Sequence, residues 1–79
     1  MEIKVLGTGC KKCLELEAKT KQAIEASGKD ITLTKVTEIK DIMGYGLMST
    51  PGLVIDEVVK SMGRVPKVKE IIKYIEESQ

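Results

Sequence analysis

Within its first ten residues the chain changes its hydrophobic period, and Gly7-Thr8-Gly9 marks the change. Ahead of that turn, Glu2-Ile3-Lys4-Val5-Leu6 reads as a short strand with β-branched residues. Behind it, Cys13, Leu16, Thr20, Ala23 and Ile24 recur at intervals of three and four. A helix running from Cys10 would gather them on one face. Ser27-Gly28 ends it, with Gly28 suited to the left-handed position after a helix. Glu15 with Lys19 and Glu17 with Lys21 are i,i+4 pairs in the favourable orientation on its flanks.

The remaining elements follow from the same patterning. Ile31 to Val36 is a second strand, with three threonines nearby that favour extended backbone. Thr37 is placed to cap a short helix whose apolar positions are Ile39, Ile42 and Met43, ended by Gly44 and Gly46. After Ser49-Thr50-Pro51-Gly52, the runs Leu53–Ile55 and Val58–Met62 are spaced as a hairpin about Asp56-Glu57, although that pair lacks the glycine such turns prefer. Gly63 breaks the strand and Pro66 suits the first turn of a helix. Val68, Ile71, Ile72 and Ile75 then form the stripe of a helix packed on a sheet. The expected order is β-α-β-α-β-β-α. A strand–helix–strand crossover followed by a hairpin and a last helix makes an α/β domain with a mixed four-stranded sheet and helices on both faces. Seventy-nine residues leave room for one such domain, 1–79.

Composition narrows the function. Net charge is +1, with Lys and Arg spread along the chain, which is not the one-signed stripe that nucleic acid requires. No segment approaches the roughly 20 apolar residues of a membrane span, and the first residues do not resemble a secretory signal. A cytoplasmic protein is expected. Phe and Trp are absent, so the core rests on aliphatic residues and an aromatic ligand platform is not expected. The methionines at 43, 48 and 62 read as core or site-wall filler. Gly7-Thr8-Gly9 is no phosphate loop, because Lys12 stands where the third glycine belongs and no G-K-[ST] occurs.

The only thiols, Cys10 and Cys13, stand three apart at the start of the first helix. As a structural staple they would do little: a four-residue loop gains about 2 kcal/mol, against about 3 for fifteen residues, and a reducing cytosol would usually remove even that. The helix start suits chemistry better. The nucleophile of disulfide exchange is the thiolate. Unpaired N–H groups and the helix dipole favour negative charge at Cys10, and Lys11 and Lys12 push the same way. Lowering a thiol pKa from about 8.5 to about 7 raises the thiolate fraction at pH 7 roughly fifteen-fold. The accompanying loss of nucleophilicity leaves only a several-fold gain in rate. Cys13, nearly one turn on, is within reach to resolve a mixed disulfide.

Gly9-Cys10-Lys11-Lys12-Cys13 after the first strand, and Gly46-Leu47-Met48-Ser49-Thr50-Pro51 leading into the hairpin, resemble the thioredoxin superfamily. The chain is most similar to its small glutaredoxin-like members in archaea and bacteria, the redox-active disulfide protein 2 family. The resemblance extends through Gly63-Arg64-Val65-Pro66. It implies a thiol–disulfide oxidoreductase, a protein-disulfide reductase or redox carrier in electron transport, with Cys10 attacking and Cys13 resolving. It also implies a cis Thr50–Pro51 bond lying against the cysteines, and a Thr50 backbone that pairs with an extended substrate chain. Disulfide-containing target proteins and an unidentified reductase are the expected partners, and a monomeric chain with no cofactor or metal is expected. Two departures stand out: Thr8-Gly9 replaces the Trp that thioredoxins carry before the first Cys, and Lys11-Lys12 replaces their Gly-Pro. The glutaredoxin residues that hold glutathione are not evident in Met62-Gly63-Arg64. Lys67 stands where relatives often place a capping Ser, so the last helix is expected to start raggedly.

The alternative is a soft-metal chaperone, since two thiolates suit Cu(I) and ferredoxin-like metallochaperones carry CxxC between a first strand and first helix. Those proteins end in a strand, whereas the stripe from Val68 to Ile75 is helical. A structural zinc site usually takes four ligands from Cys, His or carboxylate, and this chain has two Cys and no His.

Overall fold

A computed structural model describes residues 1–46 and 49–78. Its elements are β1 (Glu2–Leu6), α1 (Lys11–Ser27), β2 (Thr32–Val36), α2 (Ile39–Gly44), β3 (Gly52–Ile55), β4 (Val58–Met62) and α3 (Val68–Glu77). The β-α-β-α-β-β-α order is the one expected, and the last element is a helix. The strands form one mixed sheet in the order β2-β1-β3-β4. β1 runs parallel to β2 through the α1 crossover and antiparallel to β3, and β4 closes the hairpin beside β3.

Strand alternation sorts the core into two layers. Ile3, Val5, Leu53 and Ile55 face Leu16 and Ala23 of α1 and Ile71 and Ile75 of α3 in the larger cluster. On the other face, Leu6 and Val54 meet Ile42 of α2, with Val36, Tyr45 and Val59 packed around them. All four residues of β3 are buried, as a central strand covered on both faces must be. Inside α1, the buried Thr20 hydroxyl donates to the Leu16 carbonyl at 2.7 Å, which satisfies a polar group in an apolar layer. Gly28 ends α1 at φ 68°, its N–H donating to Glu25 O.

Several local expectations need correction. Thr37 does not cap α2. Glu38 occupies that position without a side-chain cap bond, and Thr37 instead helps to line a cavity near Cys13. Of the apolar positions assigned to α2 only Ile42 is buried; Ile39 and Met43 are 62% and 66% exposed. A six-residue helix has less than two turns with which to cover the sheet, so one side chain makes the contact and its neighbours point outward. Met62 is likewise exposed at the end of β4, so neither it nor Met43 fills the core; Met48 lies outside the described residues. Pro66 is buried but sits before the N-cap Lys67, two residues ahead of Val68 where α3 begins. The lysine ammonium has no acceptor to offer. The start of α3 is secured by Glu70, whose carboxylate accepts the Lys67 N–H at 3.3 Å and the Arg64 guanidinium at 2.7 Å.

The hairpin turn forms at Asp56-Glu57 with both residues at positive φ, 47° and 68°. Two-residue hairpins need that backbone, and non-glycine residues resist it. Contacts to β1 offset the cost. Asp56 Oδ1 accepts the Glu2 N–H at 3.0 Å and the Asp56 N–H donates to Glu2 O at 2.9 Å. Glu57 accepts from Lys4 Nζ at 2.6 Å and from the Tyr45 hydroxyl at 3.1 Å. A bulge between Leu53 and Val54 leaves Lys60 as the extra residue of β4.

Candidate active site

The end of β1 delivers the chain through Gly7-Thr8-Gly9 to Cys10, which is the N-cap of α1 with extended backbone (φ −67°, ψ 167°). Its sulfur accepts the Cys13 N–H at 3.3 Å and its carbonyl accepts the Leu14 N–H at 3.0 Å. A cysteine sulfur therefore does the work that Ser, Thr or Asp usually does at this position. Cys10 is exposed. Cys13, three residues into the helix, is 5% exposed on the face that carries Leu16 and Ala23. The two form a disulfide, with Cα atoms 5.0 Å apart.

The first turn of α1 contains no acidic residue. Lys11 and Lys12 are exposed there and enter no ion pair among the described residues. Their charge reaches Cys10 through solvent, where screening weakens it.

Pro51 precedes β3. Continuing the Leu6–Gly52 pairing by one step sets it beside Gly7, at the cysteine end of the sheet. It is fully buried, its peptide bond to Thr50 is cis, and its carbonyl accepts the Gly63 N–H at 2.9 Å. Thr50 is half-buried. Leu47 and Met48 of the motif before it lie outside the described residues.

Sequence reasoning did not assign Glu17 and Lys35 to this region. A cavity of about 40 Å³ lies behind Cys13, lined among others by Leu14, Glu17, Lys35 and Thr37. Glu17 bridges Lys35 of β2 at 3.1 Å and Lys21 at 3.4 Å. The Lys35 hydrogen bond, more than the Lys21 one, holds its carboxyl below the usual carboxylate range. Spacing carried the signal: Glu17 is four residues after Cys13 and shares its face of the helix. The other surface pair assigned to α1, Glu15–Lys19, is not among the ion pairs of the described residues.

A second polar cluster occupies the α2 face. Lys4 Nζ donates to Tyr45 at 2.7 Å and to Glu57, and lies 5.4 Å from the centre of the Tyr45 ring. The bond to Glu57, followed by that to Tyr45, raises the Lys4 pKa, and the same contacts lower that of Glu57. This cluster involves the hairpin turn, away from the cysteines, and braces the Asp56-Glu57 backbone. Among the described residues no cluster of three or more His, Cys, Asp or Glu is arranged to hold a metal, and no helix is long and apolar enough to cross a membrane.

Comparison with known proteins agrees with this geometry. A family profile described as a thioredoxin domain matches residues 1–76. A thioredoxin of Methanothermobacter thermautotrophicus is 39% identical over 75 residues, which cover 95% of this chain and 97% of that protein. A thioredoxin of Methanocaldococcus jannaschii is 38% identical over 69 residues, covering 87% of this chain and 79% of that protein.

Proposed function

Because the chain belongs to the thioredoxin domain family, and its two cysteines form a bonded pair at a helix start, we propose that it is a thiol–disulfide oxidoreductase that reduces disulfides of other proteins, with Cys10 as the attacking and Cys13 as the resolving thiol. The observation that carries the assignment is the difference in access: Cys10 is exposed at the helix cap, whereas Cys13 is 5% exposed. The Cys13 N–H aimed at the Cys10 sulfur and the dipole of α1 both favour a thiolate there.

In the reduced protein the Cys10 thiolate attacks one sulfur of a target disulfide. A Cys10–target bond forms, the target's own S–S bond breaks, and one target thiolate leaves. Cys13, having lost its proton, then attacks Cys10 Sγ. The mixed disulfide breaks, the second target thiolate leaves, and Cys10–Cys13 remains as the disulfide. Two electrons pass to the target, and two protons complete its thiols. A separate reductase supplies two electrons to restore the dithiol, and a reducing compartment such as the cytoplasm suits this cycle. Thr50, beside the buried Pro51, offers backbone groups at the cysteine end with which an extended target segment would pair. The chain works as a monomer in this reading.

The test is selective alkylation. With one equivalent of reagent on the reduced protein, label is expected mainly on Cys10, read by peptide mass spectrometry. Predominant labelling of Cys13 would reverse the two roles.

A further inference from the structure

The two glycines of Gly7-Thr8-Gly9 are glycines for opposite reasons. Gly9 has φ 92°, and a Cβ built on it would meet nothing within 4 Å; its requirement is the backbone conformation. Gly7 is not among the residues at positive φ. Its N–H donates to Val36 O at 3.0 Å, continuing the pairing of β1 with β2, and any residue could take that backbone. Space is what it lacks. Gly7 is buried, and a Cβ on it would overlap Cys13 Sγ and stand 3.0 Å from Cys13 Cβ.

We propose that Gly7 is a positioning residue whose missing side chain forms the socket in which Cys13 Sγ sits when it is bonded to Cys10. A methyl group at position 7 would compete with that sulfur for one place. In the disulfide state the sulfur is tethered and cannot yield. In the dithiol state Cys13 is free to rotate about its Cα–Cβ bond into another rotamer. The added methyl therefore penalises the oxidised form more than the reduced form, so Gly7→Ala makes the disulfide easier to reduce. Where Cys13 serves as the resolving thiol, a part of the argument that rests on the function proposed above, the same displacement slows resolution. Attack by the exposed Cys10 is left largely intact, and the mixed disulfide lives longer.

The experiment compares wild type, Gly7→Ala, Cys13→Ala and the double variant. Equilibration with a glutathione redox buffer should show the Gly7→Ala disulfide displaced toward the dithiol by about tenfold or more, the scale of overpacking a tight interior by one methyl group. In urea unfolding, Gly7→Ala should lower the midpoint of the oxidised protein sharply. It should do so much less in the Cys13→Ala background, where only the Cβ contact at 3.0 Å remains. If Gly7→Ala alone fails to fold, recovery of folding in the double variant supports the socket. An unchanged glutathione equilibrium, an equal loss of stability in both backgrounds, or a double variant that does not fold would overturn it. Neither readout requires a protein substrate. A wild type that does not reduce proteins but shows both shifts would sink the proposed function and leave the role of Gly7 standing.

Discussion

Cys10 serves α1 as a cap and the site as a thiol, and substitution separates the two. Consider reduced wild type beside Cys10→Ser and Cys10→Ala. The acceptor at stake is a sulfur 3.3 Å from the Cys13 N–H. That N–H belongs to a residue that is 5% exposed, so water replaces a lost partner poorly. Removing an N-cap acceptor costs about 0.5–2 kcal/mol, typically about 1. Serine keeps an acceptor of the preferred type and alanine keeps none, so the Ala variant should be the less stable of the two, with a Ser–Ala gap of about 1 kcal/mol. In a domain of this size that gap is a Tm difference of about 4–8 °C. Thermal unfolding in excess reductant, which removes any disulfide contribution, measures it directly. Both variants should lose disulfide exchange, because neither can form the mixed disulfide at position 10. Equal Tm values for Ser and Ala would refute the capping role, and exchange retained by Cys10→Ser would refute the attacking role.

Other outcomes follow from the same structure. Leu16 is fully buried between the sheet and α3, so Leu16→Ala should cost about 2–5 kcal/mol, read as a drop in the urea midpoint. Glu17, Glu57 and Glu70 have lowered pKa values, owed first to Lys35, Lys4 and Arg64 respectively. Below the unfolded carboxyl value of about 4.3 the unfolded chain binds more protons than the native one. Their contribution is thus complete above that pH and is lost as pH falls through the lowered folded values. Urea midpoints measured from pH 6 to pH 3 should fall, and Glu57→Gln should fall less steeply; an identical slope would remove Glu57 from the account. Replacing Lys11 and Lys12 together by Gln should make the disulfide modestly harder to reduce, on the scale of exposed charge effects, as read by equilibration with a glutathione redox buffer. No change would mean that the two lysines do not set the ease of reduction.

The architecture was legible because the period of the apolar residues changes where the elements change. Ile3 and Val5 alternate, Leu16 and Ala23 recur on a helical face, and Ile71 and Ile75 repeat that pattern at the end of the chain. Each of these pairs lies in the larger core cluster. The candidate site stood out for a different reason: two thiols three apart at a strand–helix junction have few uses. What sequence did not reveal depends on contacts between distant segments. The Glu17–Lys35 bridge joins α1 to β2, and the Lys4–Tyr45–Glu57 cluster joins β1, the end of α2 and the hairpin turn. Thr37 has the chemistry of a cap but not the position, because α2 begins two residues later. Ile39 and Met43 have the right spacing to be buried, yet a helix of six residues seats only Ile42. Gly7 reads as part of a turn, and only the Cys13 sulfur lying over it shows that its requirement is space.

The central claim is that this chain exchanges disulfides through Cys10, and trapping the intermediate tests it most directly. Reduced Cys13→Ser is mixed with a disulfide-bonded protein, the free thiols are blocked with acid and alkylating reagent, and adducts are located by mass spectrometry after digestion. The account predicts a covalent adduct through Cys10 that dithiol reductant releases, little adduct from Cys10→Ser, and turnover without accumulation in the wild type. No adduct with Cys13→Ser, or an adduct from Cys10→Ser as abundant as from Cys13→Ser, would contradict it. Tight Cu(I) binding by a wild type that exchanges nothing would point instead to a metal-carrying role for the pair.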